Sequence, residues 1–232
     1  MHLDAIRNDA WLAFGLAFVG GYGDAAGLVL AKTFTGHITG NVVLAAIAVA
    51  GRDWRASAQH LLAIAAFLLG VFLSQIVARR RNSPGSPTLL PMVMAIEVVL
   101  IAAACVTLES KLAFRLEIFL GCMALALGMQ NGAFRSAGGI SVHTTYLTGM
   151  TTNLIAAGTD RYVSRIALRP AAAADPEIDV LGGIWIAFAL GAGTGAALIF
   201  RFGGAGILGT ALVLAVIIVR DLLGRSKNGS VA

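Results

Sequence analysis

The sequence predicts an all-α membrane protein: a polytopic helical bundle with two internal repeats, built of six full transmembrane helices plus two broken segments, each a strand plus a half-helix. Three observations lead there. Of 232 residues, 58% are hydrophobic and only 12% are charged, against about 25% charged in a soluble domain. Six apolar runs approach the ~20 residues that cross a hydrocarbon core. Two further apolar stretches are interrupted by Gly, Thr and His. Mean hydropathy is +0.83. So few charges cannot cover a folded surface in water, which excludes an ordinary soluble enzyme, a disordered chain and a secreted disulfide scaffold.

Residues 1–10 are short and mixed in charge, and the apolar run that follows is too long for a signal-peptide core, so no cleaved leader is expected. The six spans are Trp11–Ala31, Ala56–Ala78, Thr88–Leu108, Leu116–Phe134, Val180–Phe200 and Gly204–Leu223. Their interiors hold two carboxylates, Asp24 and Glu97, and no Lys or Arg. A loop is expected at Arg79–Pro87, where Pro and Gly break helices, and a second over Asp160–Asp179. Cys105 and Cys122 each sit in an apolar run and read as small core residues.

The first interrupted stretch is Thr33–Asn41, followed by Val42–Ala50. The second is Ile140–Met150, followed by Thr151–Gly158. Each opens with β-branched residues and Gly, then becomes a short apolar helix with Thr and Gly at its capping position. The two align: Thr35-x-x-x-Thr39-Gly40 matches Thr144-x-x-x-Thr148-Gly149, and the same offset places Tyr22 on Asn131 and Gly23 on Gly132. Later, Phe67–Gly70 matches Phe188–Gly191, and Arg80 falls on Arg201. The chain is thus expected to be one transmembrane domain, 1–232, with a first repeat at 11–108 and a second at 116–223.

The net charge is +5. The basic residues sit in short connections without interleaved aromatics, which suits topology signals and anionic headgroups rather than nucleic acid. Six crossings, with the N-terminus inside, put Lys32, Arg52, Arg55, Lys111, Arg115 and Arg201 outside and the other 11 of the 17 basic residues inside. Eight crossings exchange Arg79, Arg80, Arg81 and Arg135 for Arg52, Arg55, Lys111 and Arg115, so the count is unchanged. Six is preferred because it keeps the Arg79–Arg81 cluster in the cytoplasm and makes the repeat inverted.

Gly23-Asp24, Thr39-Gly40-Asn41, Gln130-Asn131-Gly132 and Thr144-Thr145-Tyr146-Leu147-Thr148-Gly149, in this order and spacing, resemble the YoaK family of uncharacterised bacterial integral membrane proteins. The resemblance runs over nearly the whole chain. It implies a multi-pass protein of the bacterial inner (plasma) membrane and specifies no activity.

Paired breaks in two halves point to a transporter binding site. Irregular backbone in lipid is tolerated only where protein or a water-filled cavity satisfies it, and a half-helix N-terminus carries partial positive charge. The expected function is therefore a secondary transporter or channel-like permease for a small polar solute or ion, not an enzyme. The candidate substrate-binding residues are Thr35, His37, Thr39, Gly40, Asn41, Asn131, His143, Thr144, Thr148 and Gly149. Asp24 and Glu97 are the candidate coupling residues, since an intramembrane carboxylate is costly. No cofactor or metal is expected: there is no Walker loop, Rossmann fingerprint or HExxH, and a metal needs three or four convergent ligands. The expected partners are the lipid bilayer and the solute. The GxxxG pairs Gly23/Gly27, Gly36/Gly40, Gly128/Gly132 and Gly191/Gly195 suit close helix packing, within the bundle or in a homo-oligomer. Two other functions stay open. One is a membrane-embedded enzyme acting on a lipid, against which stands the lack of a clustered acidic or His-rich motif. The other is a scaffold or assembly protein using the GxxxG faces.

Overall fold

A computed structural model describes residues 2–80, 89–137, 139–145, 147–166 and 176–229. The order is α1 (His2–Ala31), α2 (Ile38–Ala50), α3 (Trp54–Arg80), α4 (Leu89–Glu109), α5 (Arg115–Ala133), β1 (Ser136–Ala137), β2 (Ile140–Ser141), α6 (Leu147–Ile166), α7 (Pro176–Phe202) and α8 (Leu208–Gly229). A 3-10 turn, Gly203–Ile207, joins α7 to α8. Five stretches are long and apolar enough to cross a membrane: Asp9–Ala31, Trp54–Arg79, Leu90–Glu109, Arg115–Ala133 and Glu177–Asp221. The last contains both α7 and α8. Large apolar side chains such as Leu68, Phe72, Val99, Val106, Leu190 and Val216 are exposed on the outside of the bundle. In water this would be unfavourable, and in lipid it is the expected exterior. The chain is an all-α membrane protein.

Several expectations are corrected in detail. Helix α1 starts at His2, not after residue 10. Helix α6 continues through Asp160 to Ile166, so the second loop is shorter than Asp160–Asp179. Its apolar pattern ends near Gly158, but nothing in 159–166 breaks a helix. Helix α8 begins at Leu208, because Gly203 takes φ +60° and the next residues wind as the 3-10 turn. The expected strands differ most. The first interruption has no strand, and the second has a two-residue antiparallel hairpin, β1 with β2, pairing Ser136 with Ser141. The loop residues 81–88, Tyr146, and Arg169 with Pro170 lie outside the described residues.

Local chemistry explains the breaks. Lys32, at φ 56°, ends α1 in the left-handed conformation and turns the chain back on itself. Gly27 gives the returning chain room: a Cβ there would come within 2.5 Å of the Thr33 carbonyl oxygen. Helix α2 then runs to Gly51, and Arg52 (φ 60°) makes the turn into α3. Asp53 caps α3, its Oδ1 accepting the Ala56 amide at 3.0 Å.

Glycine contacts set how the long helices lie. On α1 and α7, Phe14 faces Gly183 and Tyr22 faces Gly195, so the two run in the same sense. On α3 and α5, Phe67 faces Gly128 and Ser74 faces Gly132, again in the same sense. Arg55 and Gln59 at the start of α3 reach Glu117 at the start of α5. Helices α1 and α5 run in opposite senses where they meet: Gln130 Nε2 donates to the Leu16 carbonyl at 3.1 Å, while Gly23 faces Leu127 and Met123. Helix α8 opposes α1, with Gly209 near Tyr22, Gly15 near Ile217, and the Arg220 guanidinium over the Trp11 ring. The core between these helices is apolar, centred on Leu16, Leu120, Met123, Leu127, Ile184 and Leu214.

The tightest approaches of backbone to backbone are reciprocal. Gly21 lies on the Phe188 carbonyl, and Gly191 on the Phe18 carbonyl. Gly70 lies on the Leu125 carbonyl, and Gly128 on the Phe67 carbonyl. A side chain at any of these would drive into backbone, which cannot yield. Gly191→Leu and Gly128→Leu are each expected to lower the thermal unfolding midpoint in detergent sharply, by about 1–3 kcal/mol or more of overpacking. Gly193 and Gly121 face open space, so Gly193→Ala and Gly121→Ala should leave the midpoint unchanged or raise it, Ala being the better helix former by ~1 kcal/mol. Equal effects of the two pairs would refute the crossing.

Candidate functional site

The interruption after α1 is held by two side chains. Asp24 Oδ1 accepts the backbone amides of Thr35 at 2.9 Å and Gly36 at 2.6 Å. Its Oδ2 has no hydrogen-bond partner among the described residues. Asn41 bridges Phe34 from both sides, donating from Nδ2 to its carbonyl at 2.7 Å and accepting its amide on Oδ1 at 3.0 Å. These bonds satisfy a backbone that has left the helix. The helix after them begins at Ile38, so its N-cap is His37, which makes no side-chain capping bond. This corrects the expectation that Thr39-Gly40 form the cap; both lie inside the first turn. Thr148-Gly149 likewise lie inside the first turn of α6.

The second interruption is held from α5. Gln130 Nε2 donates to Thr144 Oγ1 at 2.7 Å as well as to Leu16. Val142 returns its amide to the Arg135 carbonyl across the hairpin at 3.1 Å. The Thr144 carbonyl sits against Gly20 of α1, and Thr145 sits against Gly36 of the first interruption.

The two interruptions therefore meet, and between them is a cavity of about 340 Å³. The first contributes Gly36, His37, Ile38 and Thr39. The end of α5 and the second contribute Asn131, Gly132, Arg135, His143 and Thr145. Helix α3 closes it with Phe67, Val71 and Gln75. Gln75 also donates to the Gly132 carbonyl at 2.7 Å, tying α3 to the end of α5.

Four of the ten candidate binding residues line this cavity: His37, Thr39, Asn131 and His143. Thr35, Asn41 and Thr144 lie outside the lining, bonded into the loops and their supports. All three are fully buried, and their polar groups face the scaffold rather than the space. Gly40 packs on the Phe34 ring, and neither Thr148 nor Gly149 lines the cavity. Asp24 lies behind the first interruption and does not line the cavity either. Glu97 is fully buried on α4, away from the lining, and neither of its oxygens has a partner among the described residues. No group of three or more potential metal ligands occurs among the described residues. Gln75, Arg135 and Thr145 were missed as site residues. Gln75 was visible as a polar residue within an apolar run, and Arg135 as a charge placed directly against the second break.

The fold and site define a helical membrane protein with two interrupted segments converging on one cavity. The chain belongs to the family described as "Protein of unknown function (DUF1275)", whose model matches residues 12–220. It is 26% identical over 145 residues to the UPF0700 transmembrane protein YoaK of Bacillus subtilis (strain 168), a match covering 62% of this chain and 62% of that protein. No solved structure matches.

The Asp24 anchor has a direct test. Asp24→Ala leaves two amides without an acceptor in apolar surroundings, a loss of about 2–6 kcal/mol at roughly 1–3 kcal/mol per orphaned group. Asp24→Asn keeps one oxygen acceptor and should lose less. Thermal unfolding in detergent separates them, and equal midpoints for wild type and Asp24→Ala would show that the carboxylate anchors nothing.

Proposed function

We propose that this protein is a secondary transporter or channel-like permease, not an enzyme, that binds a small polar solute or ion in the cavity between the two interrupted segments. The observation that carries the proposal is that one cavity is lined by both interruptions, which are more than a hundred residues apart in sequence. Non-helical backbone at membrane depth is tolerated where it lines such a space, and paired broken elements are a recurrent way to build a transporter site.

We further read the chain as a multi-pass protein of the bacterial inner membrane with six crossings and an inverted repeat. Helix α1 opposes α5, α5 parallels α3, and α1 parallels α7. Hence α3 opposes α1, and α7 opposes α5. Each interruption then begins and ends on one face of the membrane, the first on one side and the second on the other. Eight crossings would make α1 and α5 parallel. The reciprocal glycine crossings support the repeat, with a change of register. They pair Gly21 with Gly128 and Phe18 with Leu125, two residues out of step with the motif alignment that set Gly23 on Gly132. In the crossing register Asp24 falls on Asn131. The two extra residues of the second half then belong to the hairpin stretch, which the first half lacks.

Two experiments test this. The full chain in proteoliposomes should raise the permeability to at least one small polar solute above that of protein-free vesicles. Asn131→Leu and Thr39→Val should reduce that flux severalfold by removing cavity donors. No solute-dependent flux would remove the permease reading. For topology, Asp53→Cys in a Cys105→Ala/Cys122→Ala background should react with an impermeant thiol reagent from the face opposite the N-terminus. Labelling on the same face as the N-terminus would favour eight crossings.

A further inference from the structure

We propose that the cargo of this cavity is a small oxyanion, inorganic or carboxylate, and that the Arg135 guanidinium is its counter-charge. This deepens the permease reading and rests on it. The argument starts from the sign of the lining. Among the described residues Arg135 is the one side chain of fixed charge around the cavity, and no Asp or Glu lines it. The remaining polar groups are hydroxyls, amides and two imidazoles. Both carboxylates of the membrane interior are placed elsewhere: Asp24 is turned to the Thr35 and Gly36 amides, and Glu97 stands on α4 outside the lining. Arg55 pairs with Glu117, and Arg135 has no carboxylate partner among the described residues.

A guanidinium lining a cavity, with no carboxylate paired to it among the described residues, attracts an anion. Arg135 is also exposed, so cargo arriving from water can reach it. The backbone has the same sign. Ile38 and Thr39 of the uncapped first turn of α2 face the cavity, and the free amides there favour negative charge. A planar guanidinium matches an oxyanion with two parallel hydrogen bonds. The size fits as well. At ~30 Å³ per water, about 340 Å³ holds a nitrate- to oxalate-sized ion with part of its hydration shell.

The test uses the full chain in proteoliposomes, with uptake of labelled nitrate, sulfate, phosphate and oxalate measured beside methylammonium as cation and urea and glycerol as neutral solutes. Saturable uptake of at least one anion is expected. Arg135→Gln should weaken its apparent affinity about tenfold or more, as loss of a charge-assisted bidentate contact does. Arg135→Lys should lose less, and Lys111→Gln, an exposed charge away from the cavity, should change nothing. Inorganic and carboxylate arms tell the two sources of the same chemistry apart. The thermal midpoint of each variant in detergent shows that it is folded. Uptake confined to methylammonium or to the neutral solutes, or anion uptake indifferent to Arg135→Gln, overturns the anion assignment and leaves the permease standing. Permeability equal to protein-free vesicles for every solute overturns both.

Discussion

A peptide group that leaves a helix inside a bilayer must find its hydrogen-bond partner within the protein, because the solvent offers none. Much of what is polar in this bundle answers that requirement. The first interruption draws on Asp24 and Asn41, which together take up the amides of residues 34–36 and the carbonyl of Phe34. The second draws on Gln130 and on its own hairpin. The two solutions differ in chemistry and agree in plan. In each, a polar residue in the C-terminal half of a long helix reaches forward to the broken stretch that follows it. Seen this way, a buried carboxylate need not mark chemistry. It can be the acceptor that a broken chain lacks.

These anchors would be useless on a frame that let the two breaks drift apart. The frame is set by glycines that bring backbone against backbone: Gly21 and Gly191 between α1 and α7, Gly70 and Gly128 between α3 and α5. Lipid gives little hydrophobic drive for helices to associate, so dispersion contact at close range carries more of the work. The opposed packing of α1 on α5, Gln130 on Leu16 and Gly23 on Leu127 and Met123, places the ends of α1 and α5 at opposite poles of the bundle. The chain leaving each pole folds back toward the middle. Convergence of the breaks is thus a consequence of helix packing and does not depend on attraction between the breaks themselves.

The sequence revealed this architecture unevenly, for physical reasons. Apolar length alone marked the long apolar helices, because lipid imposes one demand on every residue of a span; the six expected runs correspond to five stretches of spanning length, α7 and α8 falling within one. The interruptions were legible through their Gly, Thr and Asn content. Their internal structure was not, because the partners lie elsewhere. Nothing local to Thr35 says that its amide belongs to Asp24, eleven residues back in a different element. Thr39 and Thr148 looked like caps because Thr often caps a helix. With Asp24 and Asn41 supplying acceptors to residues 34–36, α2 starts at Ile38, one residue before Thr39, and the hydroxyl is released. The loop expected from Asp160 failed for the opposite reason, since a polar run is compatible with a surface helix. Gln75 and Arg135 were overlooked because their significance comes from position against another element, which no spacing rule encodes.

The exchange of roles between Asp24 and the cavity carries one last step. Had the carboxylate faced the space between the breaks, it would have met Arg135, and the two charges would have neutralised each other in a medium where such a pair is strong. The site would then be closed on itself, with its donors already used. Because Asp24 is turned to the backbone of its own half, its charge is spent on amides that need an acceptor in any case. Near the end of α5 stands Asn131, which lines the cavity and bears no charge, and whose Nδ2 donates back to the Leu127 carbonyl. The arrangement has an electrostatic result. Asp24 stays behind its loop, Asn131 brings no charge to the cavity, and among the described residues the lining holds one guanidinium and no carboxylate.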